Sequence, residues 1–385
     1  MHFRSKTVCV VLLASIFVLF LGVRSWAAAK PIKIGAVLPL SGYFALEGTT
    51  EKKAAVALVE DINAGGGVLG RPIELIVEDG RADPTESVAA ARKLISKDGV
   101  RAIMGALASS ATLAIMSVCE KSGVSLLVET STSPKITAQG NPWVFRISST
   151  NELDAEALSP HIIKDLEFSK VALLPANNDW GRSVAAAFGN VVERQGGRVV
   201  TVEFYEGGET NFSPMLTKIK GSGANSLVIT ADANTIATVN KQMYSLGMKD
   251  LKRMTTSGFP AQQILDMSGA EMSAGVYAIT YLPNEPSPEV AGRLNAFIKL
   301  YTKKYPGEKI IANMLAGHDG VGILIEAIKL GGSDDPKDLR DALKKIKYKG
   351  LTGHLEFDKN GQARPNVYLE QIKNGKVRTV YFFGK

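Results

Sequence analysis

The chain has 385 residues, 45% hydrophobic and 22% charged, with 37 Gly, 16 Pro and 2 Cys. That is about two ordinary domains of chain, and the balance excludes disordered, collagenous, coiled-coil and disulfide-built proteins. The formal charge is +7, but Arg4, Lys6 and Arg24 lie in a leading segment without acids. The remainder is mildly basic, with no patch of the kind that engages nucleic acid.

Residues 1–29 read as a cleaved signal peptide. A positive head with His2, Arg4 and Lys6 precedes an apolar run from Val8 to Val23, and Ala27-Ala28-Ala29 supplies a small-residue cleavage site before Lys30. The run is shorter than the ~20 residues of a spanning helix, which favours cleavage over anchoring. The mature chain is therefore expected to be soluble in a periplasm. Cys119, in a run that reads as one buried helix side, is then a core residue without a disulfide partner.

From Ile32 the pattern alternates short apolar, β-rich runs with helical periodicity. Strands are expected at Ile32–Val37, Ile73–Val77, Ala102–Met104 and Ser125–Val128, with helices near 49–63, 84–96 and 110–121 between them. The rhythm restarts at Asn151: helix 151–165, strand Val171–Leu174, helix 181–195, strand Val199–Val202, helix 213–220, strand Leu227–Ile229, helix 234–246, then strands near Met254 and at Val276–Ala278. Repeated strand–helix units imply parallel sheets with helices on both faces, here in two lobes. Helices at 288–304, 314–330 and 336–347 follow without strands, their apolar faces matched to the first sheet. A tail at Leu355–Phe357, Val367–Leu369 and Val377–Tyr381 reads as strands joined by Asn360-Gly361 and Asn374-Gly375 turns. The chain is thus expected to cross between lobes near 147, 282 and 355. One lobe takes 30–147 plus 283–355 and the other 148–282 plus 356–385, and the crossings form a hinge under a closing cleft.

Catalytic patterns are missing. There is no phosphate-binding loop, no His-Glu-x-x-His and no Gly-x-Ser-x-Gly turn, and His161, His318 and His354 stand in unrelated contexts. No metal site and no cofactor are expected. Gly65–Gly70 matches the dinucleotide fingerprint in letters, but a helix precedes it and a strand follows, the reverse of what a pyrophosphate seat needs. It reads as a helix stop. Asp358–Gly361 resembles the start of a calcium loop but lacks its later ligands, and reads as a turn.

What remains is polar residues where strands end, the place where open α/β sheets bind ligands. Ser109 and Ser110 follow the third strand and open a helix, whose N–H groups suit an anion. Glu129-Thr130-Ser131-Thr132-Ser133 follows the fourth. In the second lobe, Asn177–Gly181, with Trp180, and Thr230–Asn234, with Asp232, hold equivalent positions.

Together, Ile34–Gly42, Asp61–Gly70, Asp79–Pro84, Gly105–Thr112, Gly123–Thr137 and the Phe357-Asp358 tail resemble type I periplasmic binding proteins. The subgroup is that of the leucine/isoleucine/valine-binding proteins of ABC transporters, and the likeness spans essentially the whole mature chain. It implies two Rossmann-like α/β lobes on a three-strand hinge, closing on a small ligand for a membrane ABC permease, with no catalysis and a monomeric state. By position, Ser109 and Thr132 would take an amino acid's carboxylate, and the Thr130 carbonyl and Thr132 hydroxyl its ammonium. Trp180 stands where the family has a covering aromatic. Glu47 and Asp232 replace tyrosines of the leucine-binding members, and Ser257 or Gly258 falls at their ammonium-binding Glu. Asp232 is expected to supply that counter-charge, and Glu47 to favour a polar or cationic ligand end over an isobutyl group. The expected ligand is a small polar organic molecule, an amino acid or derivative. An amide, urea, an aromatic carboxylate, a ligand-sensing receptor role and an exported hydrolase are the rivals.

Overall fold

The computed structural model describes residues 29–256 and 260–384. The expected signal peptide, apart from Ala29, and Ser257 and Gly258 lie outside them. Two parallel sheets carry the molecule. The first has five strands in the order β2-β1-β3-β4-β5: β1 Ile32–Leu38, β2 Ile73–Asp79, β3 Ala102–Gly105, β4 Ser125–Val128 and β5 Val144–Arg146. The second has seven, in the order β14-β13-β10-β9-β8-β6-β7. Its parallel part is β6 Lys170–Pro175, β7 Arg198–Val202, β8 Ser226–Thr230, β9 Lys252–Thr255 and β10 Val276–Thr280. β13 Val367–Lys373 and β14 Lys376–Phe383 add to it as an antiparallel hairpin. A two-stranded ribbon pairs Tyr348–Gly350 with Gly353–Leu355.

Strands buried on both faces read as continuous apolar runs. β1, Ile-Lys-Ile-Gly-Ala-Val-Leu, is such a strand, with every residue but Lys33 buried. Edge strand β14 alternates exposed and half-buried residues instead. The β13–β14 turn is the Asn374-Gly375 pair, both at positive φ (55° and 67°), the geometry of a two-residue hairpin turn.

Helices cover both faces of each sheet. On the first sheet, Ala55 and Val59 of helix Ala45–Ala64 join Val321, Ile325 and Leu339 against Ile34, Ala36 and Met104. Val321, Ile325 and Leu339 come from helices Asn313–Gly331 and Pro336–Leu343, so the C-terminal third returns to the N-terminal sheet. The other face packs Ala91, Ile115 and the buried Cys119 against Val37, Ile103 and Leu126. On the second sheet, Phe188 and Val192 lie against one face and Ile236, Val239 and Ile264 against the other. Among the described residues no helix is long and apolar enough to cross a membrane.

Three differences from the sequence reading concern boundaries. The helix expected over 151–165 is Asn151–Leu158, followed by turns. The Asn360-Gly361 turn joins no ladder: Asp358 Oδ1 accepts from the N–H of Asn360 and Gln362, and the loop lies against β5, where Arg146 N donates to Gly361 O. Accordingly Leu355, Phe357 and Ala363 still pack in the first core, and the chain enters the second sheet only at Val367, later than 355.

Candidate functional site

A cleft of about 880 Å³ opens between the two sheets at the carboxyl ends of their strands. Four segments of the first lobe build one wall: the Phe44–Glu47 start of helix Ala45–Ala64, the loop Leu107–Ser110 after β3, the loop Glu129–Thr132 after β4, and the Ala312–Ala316 start of helix Asn313–Gly331. Asn178 and Trp180 form the opposite wall, and Ile147, Ser148, Tyr281, Thr352 and Pro365, from the connecting segments, lie at the back.

The two strand-end loops are locked by one chain of hydroxyls. The Ala106 N–H donates to Thr112 Oγ1, that hydroxyl meets Ser131 Oγ at 2.7 Å, and Ser131 Oγ donates to the Leu107 carbonyl. One choice of rotors satisfies all three bonds, so the polar groups are paired without water. Behind the second loop, the buried Arg146 guanidinium donates from Nη1 to Ser131 O and Ser133 O, from Nη2 to Thr137 Oγ1, and from Nε to Gln362 Oε1. Burial pulls its pKa down to about 10. With the carbonyls on either side pinned, Thr132 lines the cleft together with Glu129, Thr130 and Ser131. The Thr132 side chain is 2% exposed, and its Oγ1 has no hydrogen-bond partner. Ser109 Oγ accepts from Ser133 N at 3.2 Å, tying the two loops across their tips. Ser109 also opens helix Ser109–Ser122, whose first N–H groups have no partner within the helix.

Carboxyls supply the rest of the wall. Thr130 Oγ1 and Asn313 Nδ2 both donate to Glu51 Oε1, at 2.8 and 2.7 Å, leaving Glu51 Oε2 bare. Neither Glu129 oxygen has a donor in hydrogen-bond geometry, although Glu129 is 4% exposed. Burial, with the charge of Glu129, pushes Glu51 well above the usual carboxyl range, and burial pushes Glu129 up to about 7. Glu47, on the same helix one turn before Glu51, is also lifted to about 7, chiefly by burial and further by Asp232 and Glu51.

Of the expected residues, Ser109, Thr130, Thr132, Trp180 and Glu47 all line this one cleft. Asp232 does not. Its Oδ1 accepts from Asn234 N and Thr235 N and its Oδ2 from Thr235 Oγ1, so the carboxylate is committed to capping helix Ala233–Ser245. The carboxylate expected to supply a counter-charge is thus a helix cap in the structure, and its charge still acts on Glu47 in the cleft wall. Glu51, Asn313 and Tyr281 do not figure in the sequence reading, and Glu129 enters it only as the first residue of the strand-end cluster. Glu129 follows β4 and was open to the strand-end rule. Asn313 meets Glu51 from 262 positions away, and no local pattern announces that.

The walls touch across the mouth. Tyr43 Oη lies 2.8 Å from Thr235 Oγ1, the Phe44 and Trp180 rings meet edge-on at 6.3 Å, and Lys135 pairs with Asp179 at 3.0 Å.

A family model described as periplasmic binding protein matches residues 31–376. The leucine-, isoleucine-, valine-, threonine-, and alanine-binding protein of Pseudomonas aeruginosa is 26% identical over 337 residues, covering 88% of each chain. A Leu/Ile/Val-binding protein homologue of Brucella melitensis is also 26% identical, over 91% of this chain and 94% of its own. Among solved structures, the branched-chain amino acid transporter substrate binding protein LivJ of Streptococcus pneumoniae, in complex with isoleucine, superposes with a TM-score of 0.81 at 27% identity, covering 91% of this chain and 99% of that one. A solute binding protein of an ABC transporter from Rhodopseudomonas palustris, in complex with 4-hydroxybenzoate, shares the fold with a TM-score of 0.79 at 24% identity, over 92% and 97% of the two chains.

Proposed function

This chain belongs to the periplasmic binding protein family, and from that premise we propose that its cleft takes a small amino acid or amino acid derivative. It is a solute-binding protein of the ABC-transporter type, in a family whose members are not enzymes. In our reading it works as a monomer in the periplasm after loss of residues 1–29, and hands its ligand to a membrane permease.

The observation that carries the ligand class is the Thr132 hydroxyl, buried and unpartnered beside the opening turn of helix Ser109–Ser122. A buried hydroxyl without a partner costs about 1–3 kcal/mol, which a ligand oxygen recovers. A carboxylate is the fitting oxygen, because unsatisfied N–H groups and the positive end of the helix dipole converge there. Ser109 and Thr132 hold that carboxylate, the Thr130 carbonyl and Thr132 hydroxyl face the ammonium, Trp180 covers the ligand, and Glu47 faces its far end. Binding favours the form in which both walls reach the ligand, so closure follows from differential affinity rather than from any covalent step.

A ring-bearing carboxylate is the second reading, favoured by the Phe44, Trp180 and Tyr281 rings in the lining. Calorimetry with the twenty L-amino acids and with 4-hydroxybenzoate separates the two. Ser109→Ala and Thr132→Ala are each expected to weaken binding of the ligand so found by about 1–3 kcal/mol. Unchanged affinity in both variants would refute this carboxylate seat.

A further inference from the structure

We propose that the Glu51–Glu129 carboxyl pair is the cation anchor of this cleft, so that the ligand must carry a protonated amine. This deepens the reading above and rests on it: the hydroxyl seat at Ser109 and Thr132 takes the ligand's carboxylate, and the pair takes its ammonium.

Three observations carry the assignment. First, Glu129 lines the cleft almost fully buried, and neither of its oxygens meets a donor in hydrogen-bond geometry. Glu51 behind it has one oxygen held by Thr130 and Asn313 and the other bare. A buried carboxylate steadied only by the backbone N–H groups of Glu129, Leu107 and Gly105, none in full hydrogen-bond geometry, is costly, and a ligand N–H group aimed at it lowers that cost. Second, the residues lining the cleft include Glu47 and Glu129 but no Lys, Arg or His. Third, the described residues contain no group of three His, Cys, Asp or Glu side chains placed to hold a metal ion. The cation the pair suits is therefore an organic ammonium.

The charged groups around the pair leave it unneutralised. Glu47 lies on the same helix as Glu51. On helix Asn313–Gly331, Asp319 is tied to Leu351 N, Thr352 N and Thr352 Oγ1, and His318 pairs with that same carboxylate. Arg146 on β5 spends its donors on Ser131, Ser133, Thr137 and Gln362. Asp232, across the cleft, is a cap. In the empty cleft, burial and the repulsion between two nearby carboxylates favour a proton on one of Glu51 and Glu129. An arriving ammonium replaces that proton, which leaves to solvent, so binding and deprotonation are linked.

The test uses the full chain and three probe pairs that differ only in the α-amine: L-leucine with 4-methylpentanoate, L-phenylalanine with 3-phenylpropanoate, and L-lysine with 6-aminohexanoate. Calorimetry is expected to show at least one amino acid bound more than tenfold tighter than its partner. Its affinity should rise with pH between 5.5 and 8, by up to tenfold per unit where one proton is displaced. The heat should also differ between buffers of different ionisation enthalpy. Glu129→Gln, with its fold checked by circular dichroism, should lose that preference. Glu51→Gln should flatten the pH dependence while binding persists. If amine-free acids bind as tightly as the amino acids and Glu129→Gln changes nothing, the cation anchor is overturned while the carboxylate seat stands. If affinity is independent of pH, the linked proton is overturned. If neither the six probes nor any other of the twenty amino acids binds, the amino acid reading falls, and the anchor with it.

Discussion

At the scale of single residues, the cleft depends on side chains that never touch a ligand. Arg146 is a cation held by neutral acceptors, and four of its five N–H groups serve four residues on three segments. It sets the path of the Ser131–Ser133 loop and joins that loop to the Gln362 crossing. Gln362 extends the link, donating from Nε2 to Ser148 O. Arg146→Met would remove a charged donor from Ser131 O, Ser133 O and Gln362 Oε1, each of which keeps one other donor (Ser148 Oγ, Ile136 N and Thr137 Oγ1), at about 1–3 kcal/mol in all. We expect a lower Tm and weaker ligand binding together, read by thermal denaturation and calorimetry; a variant that kept both would show the bracket to be idle. The loops holding Ser109 and Thr132 were legible in the sequence because each follows a strand, and the strand-end rule needs only local periodicity; the roles given to those two residues came from the family resemblance. The use of Asp232 was not, since an acid before a helix serves equally as cap or counter-charge until its partners are known.

At the scale of elements, the anchoring groups are placed by one close helix crossing. Helix Asn313–Gly331 approaches helix Ala45–Ala64 so nearly at Gly317 that a Cβ there would lie 2.2 Å from the Glu51 carbonyl oxygen. That backbone cannot yield as a flexible side chain can, so Gly317→Ala must push the helices apart. The expected cost is about 1–3 kcal/mol of stability. Because the same crossing holds Asn313 Nδ2 on Glu51, ligand affinity should fall as well. Denaturant titration beside calorimetry tests this, and a variant as stable and as tight-binding as the parent would contradict it. The helices themselves were readable from apolar spacing, and so was their need for a sheet to cover. Which residues meet at the crossing was not, because helix periodicity names a face and says nothing of its partner.

At the scale of the molecule, burial of carboxyls shapes stability as well as binding. Glu47, Glu129 and Asp154 are each raised to about 7, chiefly by burial, and Glu51 too is raised well above the usual carboxyl range. In the unfolded chain such groups titrate near 4. Between those limits the folded state holds more protons than the unfolded one, so stability falls as pH rises. The ligand-free protein is therefore expected to melt at a higher temperature at pH 5 than at pH 8, with a shallower slope in Asp154→Asn. A Tm that stays level or climbs across that range would be inconsistent with these burials. The mouth contacts Tyr43–Thr235, Phe44–Trp180 and Lys135–Asp179 place the walls in reach of one ligand. Small-angle scattering should show the radius of gyration shrink when ligand is added to an open population.

Strand and helix periodicity, and the restart of the pattern at Asn151, fixed two α/β runs and their ligand-facing ends from sequence alone, because those signals are carried by neighbours a few positions apart. The tail's return to the second sheet at Val367, the Arg146 bracket and the Glu51–Glu129–Asn313 cluster were decided only by the tertiary structure. Each depends on groups brought together from distant segments. Desolvation and charge coupling belong to those encounters and to no single stretch of the chain.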